Sequence, residues 1–207
     1  MSIDAEVWEC LERAIVRFNS GNDRQSLLGG GVNRNVTAAQ EGAVSERCIV
    51  YRLAFYLESE LRKLGIVRDE GPIAVDCEYN RHISGPKSLA ASTEDRILRI
   101  VHEARRRVRQ EGDHNELYAF SVAPDLIVHE RRSDDRNLLV VEVKKRSNPE
   151  TPEYDQLKLE LFTAEKVDHR GFGYALGAAV IAEDELNSGE RHLRVDARYL
   201  RGHREPA

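Results

Sequence analysis

One stretch constrains the fold more than any other, an apolar strand that ends in two charged residues. The run Leu138–Val141 is aliphatic throughout, and Glu142, Val143 and Lys144 follow it. This pattern predicts a β-strand over 137–145, in which alternating side chains place Glu142 and Lys144 on the same face. Burying a charge in a sheet is costly unless the charge is paired or bound to a metal ion. These two residues therefore need a chemical explanation.

A second acid lies at the start of the preceding strand. Asp125 opens the apolar run Leu126–Val128. If Ser133 and Asp134 form a two-residue hairpin turn, Asp125 stands directly opposite Glu142, with Cβ atoms about 4.5–5.5 Å apart. Two carboxylates at that separation repel each other, and oxygen ligands favour Mg²⁺ or Mn²⁺ as the neutralising cation. Rival turns in this stretch, or a bulge, would shift the pairing by one residue.

The two strands together resemble a known motif. Pro124-Asp125 followed by Glu142-Val143-Lys144 is similar to the motif of the PD-(D/E)xK nuclease superfamily, which has a restriction-endonuclease-like core. The resemblance implies that Asp125, Glu142 and the Val143 carbonyl bind a metal ion. It also implies that Lys144 positions the attacking water or stabilises charge on the phosphate.

The likeness covers residues 44–182 and includes a helix that begins near Ser45. Glu46 lies seven residues before Leu53 and shares the apolar face of this helix. Acids from this helix often complete the metal site in the superfamily, so the resemblance implies Glu46 as a further ligand. Glu60 lies about 21 Å farther along the helix at 1.5 Å per residue, which is too far for the same cluster.

Hydrophobic periodicity predicts the remaining elements and an α/β fold, a small mixed β-sheet flanked by helices in a single domain of residues 1–207. Residues 84–93 are predicted to be a loop and 201–207 a flexible tail. Helices are predicted at 5–19, 45–64 and 153–166, and strands at 73–79, 116–129, 137–145, 172–182 and, as an edge strand, 192–200.

An inserted helix within residues 84–116 departs from the family pattern. A solvated charged face is the commoner explanation for the arginines opposite its apolar side, and a row of phosphate contacts leading to the site is the functional one. Four of the seven histidines show no metal-ligand spacing. The arginines are Arg96, Arg99, Arg106 and Arg107, and these histidines are His82, His102, His114 and His129.

Composition limits the classes of partner. The net charge of −5 means that nucleic acid would have to be bound by a local basic patch rather than by the overall field. Cys10, Cys48 and Cys77 are too scattered for a disulfide framework or a zinc site, which is typical of a cytoplasmic protein. We see no signal peptide and no apolar run long enough for a membrane span, so no membrane partner is expected.

Two functions therefore stay open. The first is a Mg²⁺-dependent nuclease acting on nucleic acid, with DNA favoured over RNA. The second is a catalytically silent module of the same fold that binds nucleic acid or a protein partner. The simpler alternatives are a surface ion pair at a solvated strand end for the motif residues, an ordinary helix-terminal acid for Glu46, and outward exposure for Asp76 and Glu78.

Overall fold

The computed structural model describes most of the chain, although some stretches have a described backbone only. The inserted helix and its arginines, Arg96, Arg99, Arg106 and Arg107, lie outside the described residues, as do His82, His102 and His114. The described ranges are 2–28, 45–78, 88–92, 117–121, 123–133, 135–145, 152–166, 172–184, 191–201 and 203–206, with backbone alone at 88–92, 117–121, 152–154, 183–184 and 203–206.

Two amphipathic helices form one layer. Helix α1 spans Ile3–Ser20, and Ser2 caps it by accepting the Ala5 N–H at 3.3 Å. Helix α2 spans Glu46–Lys63 and is capped in the same way by Ser45. A π-helical turn at Arg24–Leu28 follows α1. The apolar faces of the two helices are buried against each other and against the sheet.

The described strands form a mixed six-stranded sheet and a separate antiparallel pair. The order of the large sheet is β1-β4-β5-β6-β7-β8, in which only β5 and β6 are parallel to each other. Helix α3, Pro152–Thr163, lies within the crossover from β5 to β6, as a parallel pair requires. The strands are β1 Ile73–Cys77, β2 Ser88–Ser92, β3 Leu117–Ser121, β4 Leu126–Glu130, β5 Asn137–Lys145, β6 Leu176–Asp184, β7 Arg191–Leu200 and β8 His203–Pro206.

The mixed sheet and its helices confirm the predicted α/β class, while two local predictions were wrong. Residues 88–92, expected in a loop, form β2 and pair with β3. Residues 203–206, expected in a loose tail, form β8 and pair with β7, so β7 is not an edge strand. Both segments are short and poor in β-branched residues, which left little local signal for a strand.

The sheet buries both faces. Leu139, Val141 and Val143 of β5 face the layer of α1 and α2. Val140 faces the other way, against Leu159 of α3. Because side chains alternate along a strand, the α3 face of the sheet continues from Val140 to positions 142 and 144.

A β-bulge sets the register between β4 and β5. Leu126 pairs with Val141 and Val128 with Leu139, but His129 pairs with Asn137, so Leu138 is the extra residue. The predicted turn at 133–134 was wrong, because the Glu130 N–H already bonds to the Arg136 carbonyl and closes a longer loop. The bulge shifts the pairing by one residue and so compensates for the different turn. Asp125 is therefore aligned with Glu142, as predicted.

One glycine allows α3 to approach the sheet closely. A Cβ atom at Gly177 of β6 would lie 3.0 Å from Thr163 Cγ2, 3.1 Å from Tyr199 Cβ and 3.5 Å from Leu159 Cδ2. The first two distances are tighter than ordinary contacts, so Thr163 and Tyr199 would have to move by a few tenths of an ångström. The absence of a side chain at Gly177 therefore sets the height of α3 above the strands.

Candidate active site

Asp125 and Glu142 come together at one end of the β4–β5 pair. Leu126 pairs with Val141, so Asp125 and Glu142 are the next residues outward in that register. Oδ2 of Asp125 accepts the main-chain N–H of Val143 at 2.7 Å. The Asp125 side chain is therefore anchored on β5, beside the predicted partner acid.

Glu142 is a buried carboxylate with only half of its hydrogen-bonding capacity met. The residue is 3% exposed. Lys158 of α3 donates to Oε2 at 2.5 Å, whereas the buried Oε1 has no hydrogen-bond partner. Burial raises the pKa of Glu142 well above its ordinary value; the Lys158 ammonium opposes this, and the charges of Asp125 and Asp155 add to it. An unpartnered buried carboxylate oxygen is costly and calls for an explanation.

The pKa of Asp125 is also raised. Burial is the main cause, and the nearby charges of Asp155 and Glu46 add to it. Lys158 and the Val143 N–H lower the pKa without cancelling the effect of burial. Glu46, the first residue of α2, is half-buried and close enough to act on Asp125 electrostatically. Several acids therefore lie close enough together to influence one another's protonation.

The predicted lysine is held by an acid that sequence reasoning did not select. Nζ of Lys144 lies 3.1 Å from Oδ2 of Asp155, and the lysine side chain is 17% exposed. Oδ1 of the same Asp155 lies 3.3 Å from Nζ of Lys158. Asp155 thus bridges two lysines, one from β5 and one from α3.

Lys158 is the second residue that the sequence interpretation left without a role. Burial by itself would lower its pKa, but the carboxylates of Glu142, Asp155 and Asp125 outweigh that effect and raise it. Lys158 is therefore a charged lysine in a buried position. The available signal was its position between Leu157 and Leu159, since a lysine amid buried helix residues needs an anionic partner. We refer to Asp125, Glu142, Asp155 and Lys158 as the Glu142 cluster.

A second charged group, which we call the Asp76 cluster, lies farther along the α3 face of the sheet. Arg131 donates to Oδ2 of Asp76 at 3.0 Å and to Oδ1 at 2.5 Å, and Nε2 of His129 lies 3.0 Å from Oδ2. Burial alone would raise the pKa of Asp76, but the hydrogen bonds with His129 and Arg131 hold it well below its ordinary value. Asp76 is mostly buried, so the expected outward exposure was wrong.

The remaining acids considered from the sequence lie outside the Glu142 cluster. Glu60 is buried and pairs with Lys63 at 2.6 Å and with Arg17 at 3.6 Å. Glu78 is exposed, as expected, and pairs with Arg47 at 2.6 Å. The main-chain N–H of Glu78 donates to the Asp125 carbonyl at 3.1 Å, which joins the end of β1 to the candidate site.

The oxygen atoms of the Glu142 cluster are of the type that hard divalent cations bind. Carboxylate and main-chain carbonyl oxygens are the ligands that Mg²⁺ and Mn²⁺ prefer, and Oε1 of Glu142 lacks any other partner. As the side chains stand, no group of three or more His, Cys, Asp or Glu in the described residues could hold a metal ion. Lys158 supplies part of the positive charge that the acids need.

Comparison with known proteins leaves the site to be interpreted from its own geometry. No family model, curated protein or solved structure matches this chain. Among the helices in the described ranges, none is long and apolar enough to span a membrane.

Proposed function

We propose that this chain is a divalent-metal-dependent nuclease of the PD-(D/E)xK type, built on a restriction-endonuclease-like core. Its reaction is hydrolysis of phosphodiester bonds in nucleic acid, with DNA favoured over RNA. The observation that carries the proposal is the buried Oε1 of Glu142, which has no partner although it lies in a cluster with Asp125. A structural ion pair would be expected to satisfy both oxygens.

The side chains divide the work of such a reaction. Asp125, Glu142, the Val143 carbonyl and Glu46 would hold Mg²⁺ or Mn²⁺. When bound, the ion would lower the pKa of water and neutralise charge on the phosphate. The Val143 N–H fixes the orientation of the Asp125 carboxylate before any ligand arrives.

Lys144 would hold the attacking water or the phosphate oxygen. Its Nζ is kept in place by Asp155 at 3.1 Å, and its side chain is partly exposed. A fixed cation is worth most where charge develops in the transition state. Lys158 would hold Glu142 in its position through Oε2.

A second candidate, a catalytically silent module, is favoured by one observation. Lys158 already contributes a positive charge to Glu142 at 2.5 Å, and such a pair can stabilise a fold without a metal ion. This candidate would bind nucleic acid or a protein partner in EDTA as well as in Mg²⁺.

Cleavage of mixed DNA and RNA substrates in Mg²⁺, Mn²⁺ and EDTA separates the two candidates. We expect the parent protein to cut only with a divalent cation and Glu142→Gln to be inactive. Glu130→Gln is the matched control, because Glu130 lies at the far end of β4 and pairs with Arg136. Binding without cleavage under all three conditions would support the silent module and reject the nuclease.

A further inference from the structure

Helix α2 presents two large aromatic side chains to solvent. Tyr51 is 53% exposed and Phe55 is 55% exposed. Arg47, whose side chain is 70% exposed, precedes them on the same stripe, because residues four apart are neighbours on a helix surface. We call these three residues the Tyr51/Phe55 stripe. Adjacent exposed aromatics on a water-facing helix mark a binding surface more often than single exposed residues do.

A cation–π contact restrains the phenylalanine ring before any partner binds. The guanidinium of Arg52 lies 5.1 Å from the ring centre of Phe55 and 5.1 Å from that of Tyr56. Asp23 accepts hydrogen bonds from both Arg52 and the Tyr56 hydroxyl, which anchors this stack from below. A ring that is already ordered loses little conformational entropy when a ligand stacks on it.

The stripe is continuous with the candidate active site. Glu46, the residue before Arg47, acts electrostatically on Asp125. Arg47 itself pairs with Glu78, whose main-chain N–H bonds to the Asp125 carbonyl. The stripe therefore begins beside the site, and Tyr51 and Phe55 lead away from it along α2.

We propose that the Tyr51/Phe55 stripe binds the unpaired bases of single-stranded nucleic acid next to the phosphate at the site, an inference that rests on the proposed nuclease function. Every base has a flat π-face, so aromatic side chains hold single strands with little dependence on sequence. Paired bases in a duplex stack on each other and hide those faces.

Spacing and charge agree with this ligand. Tyr51 and Phe55 are separated by about 6 Å along the helix, at 1.5 Å per residue. That exceeds the rise of roughly 3.4 Å between stacked bases in a duplex strand, so the two rings suit bases that are unstacked. The Arg47–Glu78 pair is exposed, which makes it weak and leaves Arg47 available for a phosphate. Stacking also supplies binding energy that does not require positive charge, in a chain whose net charge is −5.

Fluorescence anisotropy with a short oligothymidylate in EDTA tests the inference without cleavage. We expect Tyr51→Leu and Phe55→Leu each to weaken binding by roughly five- to a hundredfold, because leucine keeps an apolar side chain but removes the π-face. Val16→Ala is the matched control, since Val16 is a 63% exposed apolar residue on α1. An abasic strand of the same length should bind the parent as weakly as the oligothymidylate binds the variants. A duplex should bind the parent and the variants with equal affinity.

Each other outcome overturns the inference. Equal affinity of the parent for abasic and normal strands would show that bases do not stack there. If Tyr51→Leu/Phe55→Leu binds the single strand normally but loses self-association in light scattering, the stripe joins two copies of the chain. If this double variant still cuts with metal and still binds the single strand normally, the stacking inference is rejected and the nuclease proposal stands. A parent that neither binds nor cuts any nucleic acid overturns the nuclease proposal too.

Discussion

Two charged clusters on the α3 face of the sheet each bury a carboxylate, and they differ in how fully its oxygens are hydrogen-bonded. In the Asp76 cluster, Arg131 bonds to both oxygens of the carboxylate and His129 lies against one of them. In the Glu142 cluster, Lys158 serves one oxygen of Glu142 and the other has no partner. The pKa of the first acid is lowered and that of the second is raised. Burial acts in the same direction on both. The difference arises because donors with positive charge surround Asp76, whereas Glu142 has one such donor and the neighbouring acids Asp125 and Asp155.

The comparison indicates which of the two clusters stabilises the fold. Carboxylates with enough donors favour the charged form and stabilise the native state. Carboxylates left short of donors, and placed beside other acids, destabilise the metal-free protein. Such a cost is typical of functional sites, where a ligand supplies what the protein lacks. We therefore assign a structural role to the Asp76 cluster and propose a catalytic one for the Glu142 cluster.

The largest expected difference is in activity. Glu142→Gln should lower metal-dependent cleavage by at least about a hundredfold, because it removes charge where the reaction needs it. Asp76→Asn should keep cleavage within a few-fold of the parent, since Asp76 belongs to the other cluster. Initial rates of nuclease cleavage at saturating Mg²⁺ measure both. Equal losses in the two variants would remove the functional distinction between the clusters.

A divalent cation should stabilise one cluster only. At a hundred times its dissociation constant, Mg²⁺ or Mn²⁺ should add about 2.7 kcal/mol to the free energy of unfolding of the parent. Asp125→Asn should lose this gain, and Asp76→Asn should keep it. Urea denaturation with metal and with EDTA gives the comparison. A gain that persists in Asp125→Asn would place the cation elsewhere in the protein.

Without metal, the two asparagine variants should differ in stability. Asp76→Asn should lower the free energy of unfolding by about 1–3 kcal/mol, because buried His129 and the Arg131 guanidinium lose a charged partner. Asp125→Asn should be neutral or stabilising, since its amide oxygen can still accept the Val143 N–H while the repulsion is removed. Urea unfolding in EDTA measures both, and a more damaging Asp125→Asn would contradict the assigned roles.

The smallest expected difference is in pH dependence. The pKa of Asp76 is lowered, so its contribution to stability is present above the ordinary value of 3.8 and is lost as pH falls below it. The pKa of Asp125 is raised, so its contribution is present below 3.8 and is lost as pH rises through the folded-state pKa. Unfolding of the parent and each asparagine variant should be followed from about pH 2 to pH 8. The Asp76 contribution should rise with pH below about 4, and the Asp125 contribution should fall as pH rises above about 4. Parallel slopes would contradict the proposed charge states.

Local pattern predicted the α/β class, the bounds of β5 and the register that places Asp125 beside Glu142. Strand β5 has the predicted bounds, because an apolar run with alternating charges at its end specifies both the strand and its faces. The register at Asp125 was predicted through a turn that does not form, since the bulge at Leu138 has no signature among neighbouring aliphatic residues. Loop length and bulge are set together by tertiary packing, which a single sequence does not display.

The contribution of α3 could not be predicted in the same way. Asp155 and Lys158 reach the site only because the crossover lays this helix across β5, and no local period encodes that distance. A buried lysine was the one available clue. Glu60 illustrates the reverse case, where helix geometry alone excluded a buried acid from the site and the structure pairs it with Lys63.

Because Gly177 lies beneath α3, the electrostatics of the site depend on the distance between this helix and the sheet. Gly177 leaves no room for even a methyl group between β6 and Thr163 of the helix. Raising the helix by a few tenths of an ångström would lengthen the contact of Lys158 with Glu142 without altering a charged residue. Gly177→Ala would therefore weaken the Lys158–Glu142 ion pair by moving α3 away from the sheet. The close approach that Gly177 permits is thus part of what brings Lys158 within reach of Glu142.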